Sequence, residues 1–286
     1  MSENQERKRG ARERLQQDRA REKAREKRRR TLIVASAVVG VLGLAAVAGL
    51  VAANSGKDDG DGTTDAGPLL APSGVQGEEQ LAIPVGAADA PSTLTVWEDF
   101  RCPACAQFEN ALRDTIHDLE QAGQIKIDYH LATIIDGNMG GSGSLRAANA
   151  AACAQDAGKF APYHDVLYMN QPPEPDDAFA DNGKLIELAG KVEGLDTPAF
   201  RSCVEEGKHD GWVKKSNEAF QAGGFTGTPT VLLNGESIFP TKGKEQISVA
   251  NFKKWVKEAN KNKPPGTERP AAPTGGGSAS PGASAS

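Results

Sequence analysis

The chain has 286 residues, a formal charge of −5, 38% apolar and 25% charged residues, and four cysteines. That length allows one well-cored domain with segments to spare. Residues 1–30 hold 13 Lys/Arg against 6 Asp/Glu, which leaves −12 on the remainder and excludes nucleic acid as the partner of the main body.

The basic segment 1–30 has no aromatic residue and carries interspersed glutamates, so it reads as a cytoplasmic topology signal and not as a nucleic-acid arm. Residues 31–53 follow as a single transmembrane helix. Within them Leu32–Ala53 is a 22-residue run without charge, directly after Arg28, Arg29 and Arg30. Positive flanks stay inside, which predicts a single-pass protein of the cell membrane with everything after Ala53 outside the cytoplasm. The other reading is a cleaved signal peptide, whose apolar core is usually about 7–15 residues; Ala52 and Ala53 would offer it small residues. Residues 54–80 are polar and Gly-rich, a flexible linker. Residues 264–286 are Pro, Gly, Ala and Ser with little apolar bulk and read as a disordered tail. Residues 81–263 remain as one domain.

Leu94–Trp97 is β-rich and apolar, a buried strand. A helix is predicted from Cys102 to Ala122, with Phe108, Leu112, Ile116 and Leu119 at helical spacing. Gln124–Ile134 alternates as a strand. Gly137–Gly143 reads as a flexible connection, since it lacks the Gly-Lys-Ser/Thr ending of a phosphate loop. Ser144–Asp156, Phe160–Met169, Lys184–Lys191, Pro198–Glu206 and His209–Ala222 read as helices, an all-helical insertion at about residues 140–222. Thr230–Leu233 and Glu236–Phe239 form a hairpin about Asn234-Gly235. Val249–Asn260 closes the domain as a helix. The order predicts an α/β, thioredoxin-like fold with an inserted all-helical subdomain, preceded by the single transmembrane helix.

Cys102-Pro103-Ala104-Cys105 sits where a strand passes into a helix. Two cysteines at this spacing can close into a small disulfide, and the helix N-terminus favours a thiolate on the first. Cys102, with its sulfur exposed, is therefore the expected nucleophile, and Cys105 the resolving thiol. A structural zinc half-site is the alternative. It would need a second ligand pair, and His117, His130, His164 and His209 show no ligand spacing, so no metal and no cofactor are expected.

The segment Val96–Cys105, and Phe225-Thr226-Gly227-Thr228-Pro229-Thr230 followed by Asn234-Gly235, resemble the two hallmarks of the DsbA-like thiol–disulfide oxidoreductases, in their membrane-anchored bacterial form. The resemblance covers roughly residues 81–260. It implies that Pro229 is cis and faces the cysteine pair, and that Thr228 offers its backbone to a bound peptide strand. It also implies that Pro103 and Ala104 tune the potential, with Ala104 lacking the histidine that strongly oxidising members carry. Many relatives place a buried acid six residues before the first cysteine, where this chain has Val96. Glu98 alternates onto the same face as Val96 and offers one replacement; the favoured reading makes Glu98 and Asp99 exposed strand-end acids, because Glu is rarely buried. Phe100 is expected in an apolar patch that receives unfolded chains. His164 and Tyr163 read as packing residues. An even cysteine count outside the cytoplasm leaves Cys153 and Cys203 as a structural disulfide, the alternative being two buried free thiols.

The expected activity is oxidation of unfolded or exported cysteine-containing proteins by a monomer that a quinone-linked membrane partner re-oxidises. A reductase of the same fold, serving cytochrome c maturation or thiol repair, is the second reading. A non-catalytic peptide-binding or chaperone module is the third.

Overall fold

The computed structural model describes residues 69–268. The predicted transmembrane helix and basic segment lie outside the described residues, and among those described no helix is long and apolar enough to cross a membrane.

A five-stranded sheet has the order β1-β3-β2-β4-β5, built from β1 (Ile83–Val85), β2 (Thr93–Glu98), β3 (Lys126–Leu131), β4 (Thr230–Leu233) and β5 (Glu236–Ser237). Only β2 and β3 run parallel. Their crossover is α1 (Pro103–Gln121), a long connection of the kind a parallel pair requires. The register sets Leu94 beside Ile127 and Val96 beside Tyr129, all buried. Strand β4 returns antiparallel to β2, with Val96 opposite Val231 and Trp97 opposite Thr230. A ribbon of β6 (Thr241–Lys242) and β7 (Glu245–Gln246) precedes the last helix.

Between β3 and β4 lie α2 (Ile134–Met139), α3 (Gly143–Asp156), α4 (Phe160–Met169), α5 (Asn182–Ala189), α6 (Pro198–Glu206) and α7 (Asp210–Ala222); α8 (Val249–Ala259) closes the chain. Helix α3 is the axis of this layer. Its Ala147, Ala148, Ala150, Ala151, Ala152 and Ala154 are all buried, and small side chains on every face let neighbouring helices approach it closely. Cys153 of α3 bonds to Cys203 of α6 (S–S 1.99 Å), closing a loop whose constraint contributes about 2–4 kcal/mol.

Several expectations need correction. Strand β1 escaped notice because it is three residues long and contains Pro84, tolerable here because the strand lies at the sheet edge. Strand β3 stops at Leu131, three residues short of the predicted end. The supposed flexible stretch 137–143 holds the second half of α2 and is tied down at Asp136, whose carboxylate accepts from the Ser144 and Leu145 N–H groups. The described end of the linker is docked: Ser73 donates to Asp156, Leu70 O lies 2.7 Å from His209 Nδ1, and Trp212 Nε1 donates to Gln80 O. The start of the tail is docked too, with the Thr267 and Glu268 N–H groups donating to Asp89. Composition hides such contacts, because single side chains meeting backbone groups hold these segments instead of apolar burial.

Candidate active site

Strand β2 delivers its last residues into a tight junction. The Cys102 N–H donates to Asp99 O at 2.9 Å. The Asp99 side chain accepts from the Arg101 N–H at 2.8 Å and the Ile135 N–H at 2.9 Å, tying the turn to α2. Helix α1 begins with Pro103, whose missing N–H is no loss at a first helical position. Cys102 is therefore the residue before the helix, at the end with unpaired N–H groups.

Two side chains, one from the helical insertion and one from the junction itself, clamp the two together. Gln171 Nε2 donates to Phe100 O (2.8 Å) and Cys102 O (3.0 Å). The buried Arg101 guanidinium reaches Asp136 (2.7 Å) and Asp177 (3.0 Å) and donates to Gly140 O. Neither residue was singled out from sequence.

Cys102 and Cys105 are free thiols. Opposite them the Thr228–Pro229 peptide is cis. As a thiol, Cys102 Sγ donates to the Thr228 carbonyl, 3.2 Å away. As a thiolate it accepts from the Cys105 thiol, and this, against burial and with help from the Thr228 hydroxyl and the Cys105 and Ala104 N–H groups, brings its pKa down to about 6. Burial first, and then the hydrogen bond to Cys102, push the Cys105 thiol well above its ordinary value. The expected exposed sulfur is only 6% exposed as a residue, because the Thr228–Pro229 loop lies against it. Pro103 and Ala104 are half-buried.

Behind the pair the structure overturns the favoured reading of the acids. Glu98 and Asp99 are both 0% exposed. Burial lifts the Asp99 carboxyl to about 7 despite its two backbone donors. Glu98 Oε1 meets His164 Nε2 at 2.8 Å. Burial works against the His164 imidazolium, but Glu98, Asp165 and Glu109 together outweigh it and hold its pKa up at about 10. Phe100 is no exposed patch; it packs against Tyr168 (5.1 Å) and His164 (5.8 Å). Strand alternation stops being a guide once the β2 end is roofed by α4. Glu109, four residues after Cys105 on α1, is also buried and went unnoticed. The i, i+4 spacing was the available signal.

Two sets of three potential metal donors occur among the described residues. In the first, Cys153 and Cys203 are already joined with each other beside His209. In the second, one oxygen each of Glu98 and Glu109 and a ring nitrogen of His164 lie within 4.8 Å of one another.

Residues 78–258 match the family described as Thioredoxin. The reduced structure of DsbA from Mycobacterium tuberculosis is 28% identical, with a TM-score of 0.54, covering 64% of this chain and 94% of that one. Disulfide bond formation protein D of Bacillus subtilis is 24% identical over 54% of this chain and 68% of its own length. Na(+)/H(+) antiporter NhaA 3 of Salinispora tropica is 27% identical over 58% of this chain, but the match spans only 23% of that protein.

Proposed function

Because the chain belongs to the thioredoxin family, we propose that it is a DsbA-type thiol–disulfide oxidoreductase that donates disulfides to exported cysteine-containing proteins. The observation that carries this reading is the Cys102–Cys105 pair at the start of α1 facing the cis Thr228–Pro229 peptide, with Cys102 Sγ 3.2 Å from the Thr228 carbonyl; there the Cys102 thiol is held down at about 6 while Cys105 is pushed well up. A substrate thiolate attacks Cys102 Sγ of the disulfide form, and Cys105 leaves and takes a proton. A second substrate thiolate then attacks the substrate sulfur of the mixed disulfide, and Cys102 leaves as a stabilised thiolate. The substrate dithiol is oxidised by two electrons and the enzyme disulfide is reduced. Stabilising the Cys102 thiolate stabilises the reduced enzyme and so favours the oxidising direction.

Thr228 and Pro229 supply the edge against which an extended substrate segment pairs. The similarity to DsbA of M. tuberculosis and to disulfide bond formation protein D supports the same substrates here. The uncharged run Leu32–Ala53 behind a basic flank supports a single-pass anchor with the domain extracytoplasmic. Re-oxidation by a quinone-linked membrane partner, and a monomeric state, complete the proposal.

The reductase reading keeps one observation in its favour: Ala104 brings no hydrogen-bond donor of its own side chain to the Cys102 thiolate. Equilibration with glutathione, counting free thiols at Cys102 and Cys105, decides between them. A potential of about −120 to −180 mV supports a disulfide donor, and one near about −270 mV a reductase. A pair that never titrates leaves only a binding module.

A further inference from the structure

The thiol chemistry leaves a group of buried polar residues unused: Glu98 at the end of β2, Glu109 of α1, and His164 and Tyr168 of α4. We infer that Glu98, Glu109 and His164 form a binding site for one divalent transition-metal ion of the zinc class, with the Tyr168 hydroxyl beside it. The inference goes beyond the oxidoreductase reading and needs no step of it.

Three observations converge. First, the donors are assembled. One oxygen each of Glu98 and Glu109 and a ring nitrogen of His164 lie within 4.8 Å of one another, on residues at most 2% exposed. Their sequence positions share no ligand spacing, because a strand end and two helices each bring one.

Second, the group holds polar atoms that nothing satisfies. Glu98 Oε2, Glu109 Oε1 and the Tyr168 hydroxyl are shut off from solvent and have no hydrogen-bond partner among the described residues. Tyr168 stands one turn beyond His164, with its ring 5.0 Å from the imidazole. A buried polar atom without a partner is costly, and one cation between the two carboxylates removes that cost from both.

Third, His164 is held as a metal-bound histidine is held. Its Nε2 faces Glu98 Oε1 at 2.8 Å, and its Nδ1 lies 3.6 Å from Asp165 Oδ1. A carboxylate at the far ring nitrogen fixes the ring and the tautomer that leaves the other nitrogen to ligate. Asp165 is itself anchored by Arg113 and His117, each 3.3 Å away, so the Arg113 charge is taken up outside the donor set.

The charges balance. Without an ion, His164 is the imidazolium already described, and burial lifts the Glu109 carboxyl to about 8, so it is largely protonated at neutral pH. One dication takes the place of those two protons, which leave to solvent, and the net charge buried here does not change. No electron is transferred. One imidazole nitrogen and two carboxylate oxygens, with the Tyr168 oxygen as a fourth donor, suit four-coordinate Zn2+; Ca2+ takes about six to eight oxygens.

The test is Zn2+ binding by the untagged full-length protein, stripped with a chelator and kept oxidised so that neither Cys102 nor Cys105 offers a thiolate. Zn2+ is titrated in competition with a chromophoric chelator. One site per chain is expected, with Asp165→Asn weakening it by about 10–100-fold and Glu109→Gln weakening it further. X-ray absorption of the bound zinc should show only nitrogen and oxygen neighbours, at about 2.0–2.2 Å. Wild type that binds no stoichiometric zinc overturns the site. So does an affinity that Glu109→Gln leaves unchanged, or a sulfur neighbour at about 2.3 Å. If Glu109→Gln does not fold, an affinity unchanged in Asp165→Asn overturns it instead. A glutathione titration of Cys102 and Cys105 judges the oxidoreductase reading separately: a pair that titrates in a protein that takes up no zinc sinks the metal site alone.

Discussion

Glu98 of β2 and His164 of α4 face each other at 2.8 Å with side chains 0% and 2% exposed, an ion pair that joins the end of the central strand to the helical insertion. Removing one partner strands a buried charge. Glu98→Gln or His164→Leu should therefore cost about 3–5 kcal/mol, whereas replacing both by apolar residues costs less than the two losses added together. Urea unfolding of the two single variants and the double variant measures this.

The same pair sets a pH dependence. The His164 pKa is raised in the folded state to about 10, so its contribution is complete below the unfolded value near 6.5 and is lost as pH rises through about 10. Glu109, raised by burial to about 8, acts in the same direction between about 4.5 and 8. Stability from these groups should fall on the alkaline side, and denaturant midpoints between pH 6 and 10 should fall less steeply in the double Glu98/His164 apolar variant.

The Cys102 thiolate should show itself as an alkylation rate with an inflection near pH 6. Because the hydrogen bond from Cys105 is the first cause of that low value, Cys105→Ala should move the inflection upward. Cys102→Ser should abolish dithiol oxidation; retained function in that variant would favour the binding-module reading.

Gln171→Leu should cost about 1–3 kcal/mol, because it takes the side-chain donor from the Phe100 carbonyl and leaves the Cys102 carbonyl with the Ala106 N–H alone. The junction also loses its hold from the insertion. Slower oxidation of a peptide dithiol with an unchanged Cys153–Cys203 bond would locate the effect there.

Replacing both Cys153 and Cys203 by Ala should remove about 2–4 kcal/mol of stability. The glutathione equilibrium of Cys102 and Cys105 should stay where it was, since the second bond joins α3 to α6 away from the motif. Thermal unfolding and thiol counting check the two halves separately.

The sheet's centre and the motif helix were legible because their signals are local. Leu94–Trp97 is a short apolar run, and Phe108, Leu112 and Ile116 recur at helical spacing. Thr228–Pro229 and the Cys153–Cys203 bond came from resemblance and from cysteine arithmetic. The polar interior was not legible. Glu98 and Asp99 look like strand-end acids until α4 and α2 are placed over them, and their partners His164 and Ile135 lie 66 and 36 residues on. Arg101 likewise reads as a surface cation, although Asp136 and Asp177 enclose it. Burial of a charge is decided by what the rest of the chain brings to it, and no window of sequence contains that.

The docking of Leu70 and Ser73 sets a direction for mechanical load. Leu70 O meets His209 at the start of α7, and Ser73 meets Asp156 at the end of α3, which also receives Lys208. A pull on the chain ahead of Leu69 is thus met first by α3 and α7, three residues from the Cys153 end of the covalent staple. Strand β2 and the Cys102 turn make none of these contacts, so breaking them leaves the hydrogen bonds of the dithiol turn in place.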